Sequence, residues 1–318
     1  MTLFLGVLAS CGSSDDSSRV VIELSSDVTP LDRATVSVFG SRGAIVLDQE
    51  LSDAGQLELP RRIRIDGARR EELVRIMIWG EQHATRVAFG HAVGQLTPGV
   101  EDTVNIKLGA PAADCDDDGV PDELDGCVAI PDPAQDDPDA DGTTSACTPG
   151  ASCPANEVGN SDFEIGLMGW QASAASPATL TRITGGHSSG FAAELCKQPS
   201  GTTREYAMDD RPGWVTMPAS GARYRADAWL RTGSATPAQQ LDMRIGELSV
   251  PGGNPLPGTR VASTSANVEW QVVSTTYTIA AAQGASSLDM RFRVASAPDG
   301  TCFQIDDVCL QRLAPSCP

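Results

Sequence analysis

A run of carboxylates bounded by prolines divides this chain and leaves no room for a helix at its middle. Between Asp114 and Cys147 stand twelve acidic residues and no basic one. The core of the run, D-C-D-D-D-G-V-P-D-E-L-D, sets Asp114, Asp116, Asp118, Asp122 and Asp125 at positions 1, 3, 5, 9 and 12 of a loop, with Gly119 at position 6. Alternate carboxylates at this spacing converge on one calcium ion, the glycine permits the sharp turn, and Val120 at position 7 offers its carbonyl. A helix–loop–helix hand would also need amphipathic helices on both flanks. The flanks read L-G-A-P-A-A and C-V-A-I-P-D-P, which have prolines and no helical period. The competing reading is a plain acidic linker that resists aggregation, and the regular spacing favours the metal loop. Without metal, repulsion among the carboxylates swells the segment, so calcium is expected to stiffen it.

The rest of the composition narrows the fold. The chain has 318 residues and a formal charge of −19, with 31 glycines, 21 prolines and few aromatics. This length suits two domains, and this composition suits short strands and turns. No basic stripe appears, so nucleic acid is excluded as a partner. No apolar run is long enough for a membrane helix. Nine cysteines point to an oxidising, extracytoplasmic compartment.

From Arg19 to Ala110 short apolar–polar alternations recur, as in Thr35-Val36-Ser37-Val38-Phe39 and Val74-Arg75-Ile76-Met77-Ile78-Trp79. Seven such segments in 19–110 predict an immunoglobulin-like β-sandwich. Its histidines, His83 and His91, are read as strand or turn residues. Residues 111–155 form the acidic connector, and residues 156–318 return to strands. The class expected throughout is all-β.

Two segments carry family resemblances. After the first loop come Cys127, Asp132-Pro133-Ala134-Gln135 and Asp137-Pro-Asp139-Ala-Asp141-Gly142, with Cys147 close behind. This pattern resembles the thrombospondin type 3 repeat, a helix-less calcium loop, over about 34 residues. The resemblance implies calcium held by Asp114, Asp116, Asp118, Val120, Asp122 and Asp125, and by Asp137, Asp139 and Asp141 in a second half-site. There Ser145 stands where another Asp is expected, so that half-site is weak or borrows Asp136. Asp125 in place of Glu shortens the last ligand's reach, which fits affinities of about 10⁻⁴ to 10⁻³ M.

The second resemblance starts at Asn160 and runs N-S-D-F-E-I-G-L-M-G-W, continues through the turn Gly186-His187-Ser188-Ser189-Gly190, and closes on Ile305-Asp306-Asp307-Val308. It is similar to carbohydrate-binding modules of the family 4/9/22 type. This implies an antiparallel jelly-roll sandwich and a structural calcium held by Glu164 and Asp306, with carbonyls near Asp162 and in the 186–190 turn. It also places Trp170 and Trp270 in the core.

Sugar recognition needs a flat aromatic surface and polar groups for the hydroxyls. Strand alternation buries Tyr224, Ala226, Ala228 and Leu230 and turns Asp227, Trp229 and Arg231 outward, with Arg244 and Arg291 repeating the pattern on later strands. These five residues are the candidate glycan face. The alternative is a solvated sheet with Trp229 packed under a loop.

Gly186-x-Ser188-x-Gly190 also satisfies G-x-S-x-G, but no long helix follows to make a nucleophile elbow. Zinc is disfavoured because paired C-x-x-C spacing is lacking. Leu8-Ala9-Ser10-Cys11 resembles a bacterial lipobox, which implies acylation of Cys11 and makes 1–18 a signal remnant and tether. The native start is then expected upstream. Eight cysteines remain: Cys115, Cys127, Cys147 and Cys153 in the connector, and Cys196, Cys302, Cys309 and Cys317 beyond it. Two disulfides in each region is the economical expectation, and the pairing is open.

Together these readings predict a non-catalytic lipoprotein of a bacterial cell envelope, on the outer surface or in the periplasm. It touches membrane through its lipid only, has calcium in its connector, and binds glycan through its C-terminal module. The alternative is a structural or adhesive envelope protein with a protein partner.

Overall fold

The computed structural model describes residues 2–6, 18–40, 45–52, 56–66, 72–138, 143–151, 153–173, 177–199, 204–210, 213–233, 236–249, 256–280 and 287–315. Among the described residues every regular element is a strand. The chain divides into two compact units, Met1–Ser145 and Ala146–Pro318. The boundary falls inside the segment expected as a connector.

The first unit is a two-sheet sandwich. One sheet has the order β4 (Ile45–Ser52), β3 (Arg33–Phe39), β6 (Glu72–Gln82), β7 (Thr85–Leu96), all antiparallel. The other has the order β1 (Thr2–Gly6), β5 (Arg61–Asp66), β2 (Arg19–Ser26), β8 (Glu101–Leu108). Here β2 runs parallel to β8 and antiparallel to β5. Alternation decides which side chains meet between the sheets: Val20, Ile22 and Leu24 from β2 pack with Val36, Val38, Ile76, Ile78, Ile63 and Ile106.

The expected seven-strand sandwich is present, and the chain partitions its strands in its own way. Counted from β2, the first, fourth and seventh strands share a sheet, opposite the second, third, fifth and sixth. An immunoglobulin constant domain instead groups the first, second, fourth and fifth. The difference arises after β2, where the chain crosses to the other sheet before β3 and leaves β2 to pair with β5 and β8.

The second unit is an antiparallel jelly-roll sandwich with its own core. One sheet runs β10 (Ala178–Thr184), β11 (Phe191–Lys197), β18 (Cys302–Leu313), β13 (Arg223–Thr232), β16 (Gln271–Thr278). The other runs β15 (Arg260–Ala266), β14 (Gln239–Leu248), β17 (Ser287–Ala297), β12 (Arg204–Asp210), β9 (Trp170–Ala172). Tyr224, Ala226, Ala228 and Leu230 face Met243, Ile245, Met290 and Phe292 across the core, which also holds Phe163 and Trp170.

Candidate functional site

The acidic loop is built onto the first sandwich. Val120 is buried with Phe39, Met77, Trp79 and Phe89 on the face of β6 and β7 that the sandwich core does not use. The Trp79 indole N–H donates to the Gly119 carbonyl at 2.6 Å, and Arg75 donates to the Leu124 carbonyl at 2.9 Å. Arg86 lies over the Trp79 ring at 4.8 Å and donates to Asp114 Oδ2 at 2.5 Å. The loop is therefore docked along its length instead of spanning free space.

Within the loop the carboxylates first serve the backbone. Asp114 Oδ2 accepts from Gly119 N–H, Asp116 Oδ1 from Asp118 N–H, and Asp118 Oδ1 from Val120 N–H. Asp118 Oδ2 accepts from Asp132 N–H at 2.7 Å. Asp125 Oδ1 takes both Cys127 N–H and the Gln135 amide. Four other carboxylate oxygens, on Asp114, Asp116, Asp125 and Asp132, are buried with no hydrogen-bond partner. Carboxylate oxygens of Asp114, Asp116 and Asp118 lie within 4.8 Å of one another. Burial, and then the charges of Asp118 and Asp125, push the Asp116 carboxyl up to about 7. Burial likewise carries Asp118 up to about 6 and raises Asp125.

Buried, unpaired anionic oxygens are costly unless a cation completes them. An all-oxygen donor set of this kind fits a hard divalent ion. Asp122 Oδ1 likewise accepts a backbone N–H, that of Cys115, at 2.8 Å. Asp137 lines a separate cleft of about 360 Å³ with Leu73, Arg75 and Gln135. Asp139 and Asp141 lie outside the described residues. Asp132 and Gln135 belong to the quoted motif, yet their part in the cluster follows only from the fold, and Arg86 and Trp79 carried no local signal.

Glu164 and Asp306 approach the 186–191 turn as the family resemblance implied, and both are already engaged. Glu164 Oε1 accepts from Phe191 N–H at 2.7 Å. Asp306, fully buried, accepts from His187 N–H at 2.6 Å and Asp307 N–H at 2.9 Å, and its burial pushes the carboxyl up to about 6. Gly186 is required here, since a Cβ would lie 2.5 Å from Asp306 Oδ2 and 2.3 Å from the Phe191 carbonyl oxygen.

The five residues expected on one glycan face do not share one. Asp227, Trp229 and Arg231 lie on β13, while Arg244 on β14 and Arg291 on β17 belong to the opposite sheet. Alternation shows that these side chains point away from a core but not which sheet carries them. The open face expected around Trp229 is also covered. Arg225 donates to the Ala146 carbonyl, and the Trp229 indole N–H donates to the Gly150 carbonyl at 3.0 Å. Asp227 is fully buried beside Arg225 at 2.8 Å. Burial raises its carboxyl against the opposing Ser274 hydrogen bond and Arg225 charge. Gly150 has φ 73°, and a Cβ there would meet Trp229 Nε1 at 2.5 Å, so residues 146–151 lie directly on this sheet.

What remains at this surface is a cluster at the edge of that cover. His187 stacks on Trp229 at 3.8 Å and meets Trp270 edge-on at 6.0 Å, while Arg231 lies over the Trp270 ring at 4.3 Å. Trp170 is in the core as expected, but Trp270 is half-exposed in this cluster. In its pairing with β13, β18 has an extra residue between Asp306 and Cys309, and Asp307 there adopts φ 46°. The Asp307 carboxylate holds His187 Nδ1 at 2.8 Å and accepts the Ser188 hydroxyl at 2.8 Å. Serine, histidine and aspartate are thus neighbours, but the hydroxyl bonds the carboxylate and not the imidazole, so the nucleophile–base link of a hydrolytic triad is not made.

The cysteines correct one expectation. Cys196 pairs with Cys302 across β11 and β18, but Cys153 from the connector pairs with Cys309 on β18. Two separate pairs per region therefore do not form, because residues 146–151 lie on the β18 sheet and bring Cys153 to it. Cys115, Cys127 and Cys147 are also disulfide-bonded. Cys11 and Cys317 lie outside the described residues.

No family model matches the chain, and no curated protein matches it. Solved structures with similar stretches include TmCBM61 in complex with β-1,4-galactotriose, 18% identical, covering 49% of this chain and 98% of that one, TM-score 0.35. The CBM22-2 xylan-binding domain of Paenibacillus barcinonensis Xyn10C is 19% identical, covering 49% of this chain and 98% of that one, TM-score 0.38. The enzymatically active domain of bacteriophage CBA120 tailspike protein 4 is 15% identical over 49% of this chain, TM-score 0.38, and this chain spans only 21% of its length. Likenesses this distant assign neither a ligand nor an activity.

Proposed function

We propose that this protein is a non-catalytic, exported binding protein whose C-terminal jelly roll recognises glycan. The observation that carries the reading is the surface cluster of Trp229, Trp270, His187 and Arg231, set beside a cleft lined by hydroxyls and carboxylates. Aromatic rings with oriented polar groups are the chemistry a sugar's two kinds of surface require. The disulfides Cys153–Cys309 and Cys196–Cys302 support export to an oxidising compartment. Acylation of Cys11, and thereby a place on the cell envelope, completes the proposal.

Calcium belongs to the same reading. Asp114, Asp116, Asp118, Asp125 and Asp132 would hold it, and it would neutralise carboxylates that the fold has buried without partners. Docked by Trp79 and Arg86, the loop would then stiffen as part of the first sandwich. Glu164 and Asp306 are a second candidate pair, with less need of metal.

The test is retention of the folded full chain on a glycan array containing galactans and xylans, with millimolar calcium. Retention on a defined glycan class supports the reading. No retention by a folded, calcium-loaded chain removes it and leaves the second reading, a structural or adhesive envelope protein binding a protein. That reading draws on Trp229, whose N–H and one ring face are already spent on Gly150 and His187.

A further inference from the structure

Beside the cluster, within the second unit, lies a cleft of about 360 Å³. Its lining is part apolar, with Ala151 and the Cys153–Cys309 disulfide, and part polar, with Asp162, Ser188, Ser189 and Asp307. The bulge in β18 and the positive φ of Asp307 aim its carboxylate here, where its two oxygens hold His187 and Ser188. A bulge beside a binding site commonly serves to re-aim one side chain in this way.

An ionised carboxylate has about four lone-pair sites. Two here are used, so two can accept ligand hydroxyls. The Ser188 hydroxyl, donating to Asp307, keeps its own lone pairs for a further donor. The disulfide offers the apolar surface that a ring's C–H face needs. Ligand pockets run from about 300 to 1,000 Å³. This cleft is at the small end of that range, room for one or two sugar rings and not for a chain lying along a sheet. The face on which a chain would lie is the one covered by residues 146–151.

We infer that the glycan enters this cleft end-on, a terminal sugar residue held by Asp307 and Ser188 against the disulfide. The inference rests on the glycan reading and adds where and how the glycan is held.

The experiment uses the full chain, with the mono-, di- and hexasaccharide of whichever array glycan it retains, titrated by calorimetry with millimolar calcium. Ala151→Trp fills the cleft from an exposed turn without touching a hydrogen bond, and Asp307→Asn removes the acceptor charge. Val261→Ala, exposed on β15 of the opposite sheet, is the control. End-on binding predicts that the disaccharide binds within about threefold of the hexasaccharide. Each of the two cleft variants should lose about tenfold or more, and the control should be unchanged.

Affinity that climbs steadily with chain length, or an Ala151→Trp variant that binds like wild type, overturns the inference while the glycan reading stands. Should Asp307→Asn fail to fold, Ala151→Trp and the length series decide it alone. No retention on any glycan fails at the earlier step and removes the reading on which the cleft depends.

Discussion

Two groups of buried carboxylates, one in each unit, differ in how many of their oxygens find a partner. Around the loop of the first unit, Asp114, Asp116, Asp125 and Asp132 each keep a buried oxygen with no partner. At the turn of the second unit, Glu164 and Asp306 are answered by the N–H groups of Phe191, His187 and Asp307. Both groups match sequence patterns that imply calcium. The difference teaches that a shared acidic motif does not mean a shared dependence on metal. Where backbone donors converge, the fold supplies the partners itself, and where carboxylates face one another, some oxygens are left without one.

The sharpest break in this comparison is Asp306→Ala. It removes the acceptor of two backbone N–H groups and of the Ser189 hydroxyl at a fully buried position. Unfulfilled buried donors cost about 1–3 kcal/mol each. Urea denaturation followed by Trp fluorescence should show a loss of about 3 kcal/mol, the same with calcium as with EDTA. A loss that appears only in calcium would mean that the turn, too, depends on metal.

Calcium itself should act on the first group. A ligand present at ten to a hundred times its dissociation constant stabilises the folded state by about 1.4–2.7 kcal/mol. For a site of the weak class expected here, about 10 mM calcium reaches that range. The melting transition of the first unit should rise by several degrees and fall back with EDTA, while that of the second moves little. Equal shifts in both units would erase the distinction.

The pH dependence carries a sign. Asp116 and Asp118 titrate in the folded state at about 7 and about 6, well above the ~3.9 of an unfolded aspartate. Between those values the folded chain holds protons that the unfolded chain has lost, so without metal the stability of the first unit falls as pH rises from about 4 to about 7, then levels. Calcium requires the ionised carboxylates, so the stabilisation it adds should grow over the same window. Denaturation midpoints at pH 5 and pH 8, in EDTA and in calcium, measure both trends. If stability in EDTA rises with pH, the carboxylates are not buried as described.

Much of this was legible because it is local. The alternation in Thr35–Phe39 and Val74–Trp79 places β3 and β6, and the spacing of Asp114, Asp116 and Asp118 places the loop. What escaped was non-local. Alternation marks Arg291 and Trp229 as outward but assigns neither to a sheet, so two opposite faces read as one. The segment that covers Trp229 comes from 79 residues earlier in the chain, and the pairing of Cys153 with Cys309 follows from the same placement. No spacing rule reaches that far.

The smallest effect tests how the first group survives without its cation. Arg86 sits on Asp114 at 2.5 Å and on the Trp79 face, and is the ion-pair partner that the sandwich offers this loop among the described residues. It is one third exposed while Asp114 is nearly buried, so solvent screening limits the pair to the order of 1 kcal/mol. Arg86→Gln keeps a donor and much of the stacking but removes the charge. In EDTA it should cost about 0.5–1 kcal/mol, because Asp114 then loses its ion-pair partner. In saturating calcium the metal takes over that neutralisation, and the cost should drop below about half. Calcium titrations of wild type and variant, read by the melting temperature of the first unit, close the cycle. A cost that is equal in both conditions would show that Arg86 acts by packing on Trp79, and that the unpaired oxygens face away from the charge it brings.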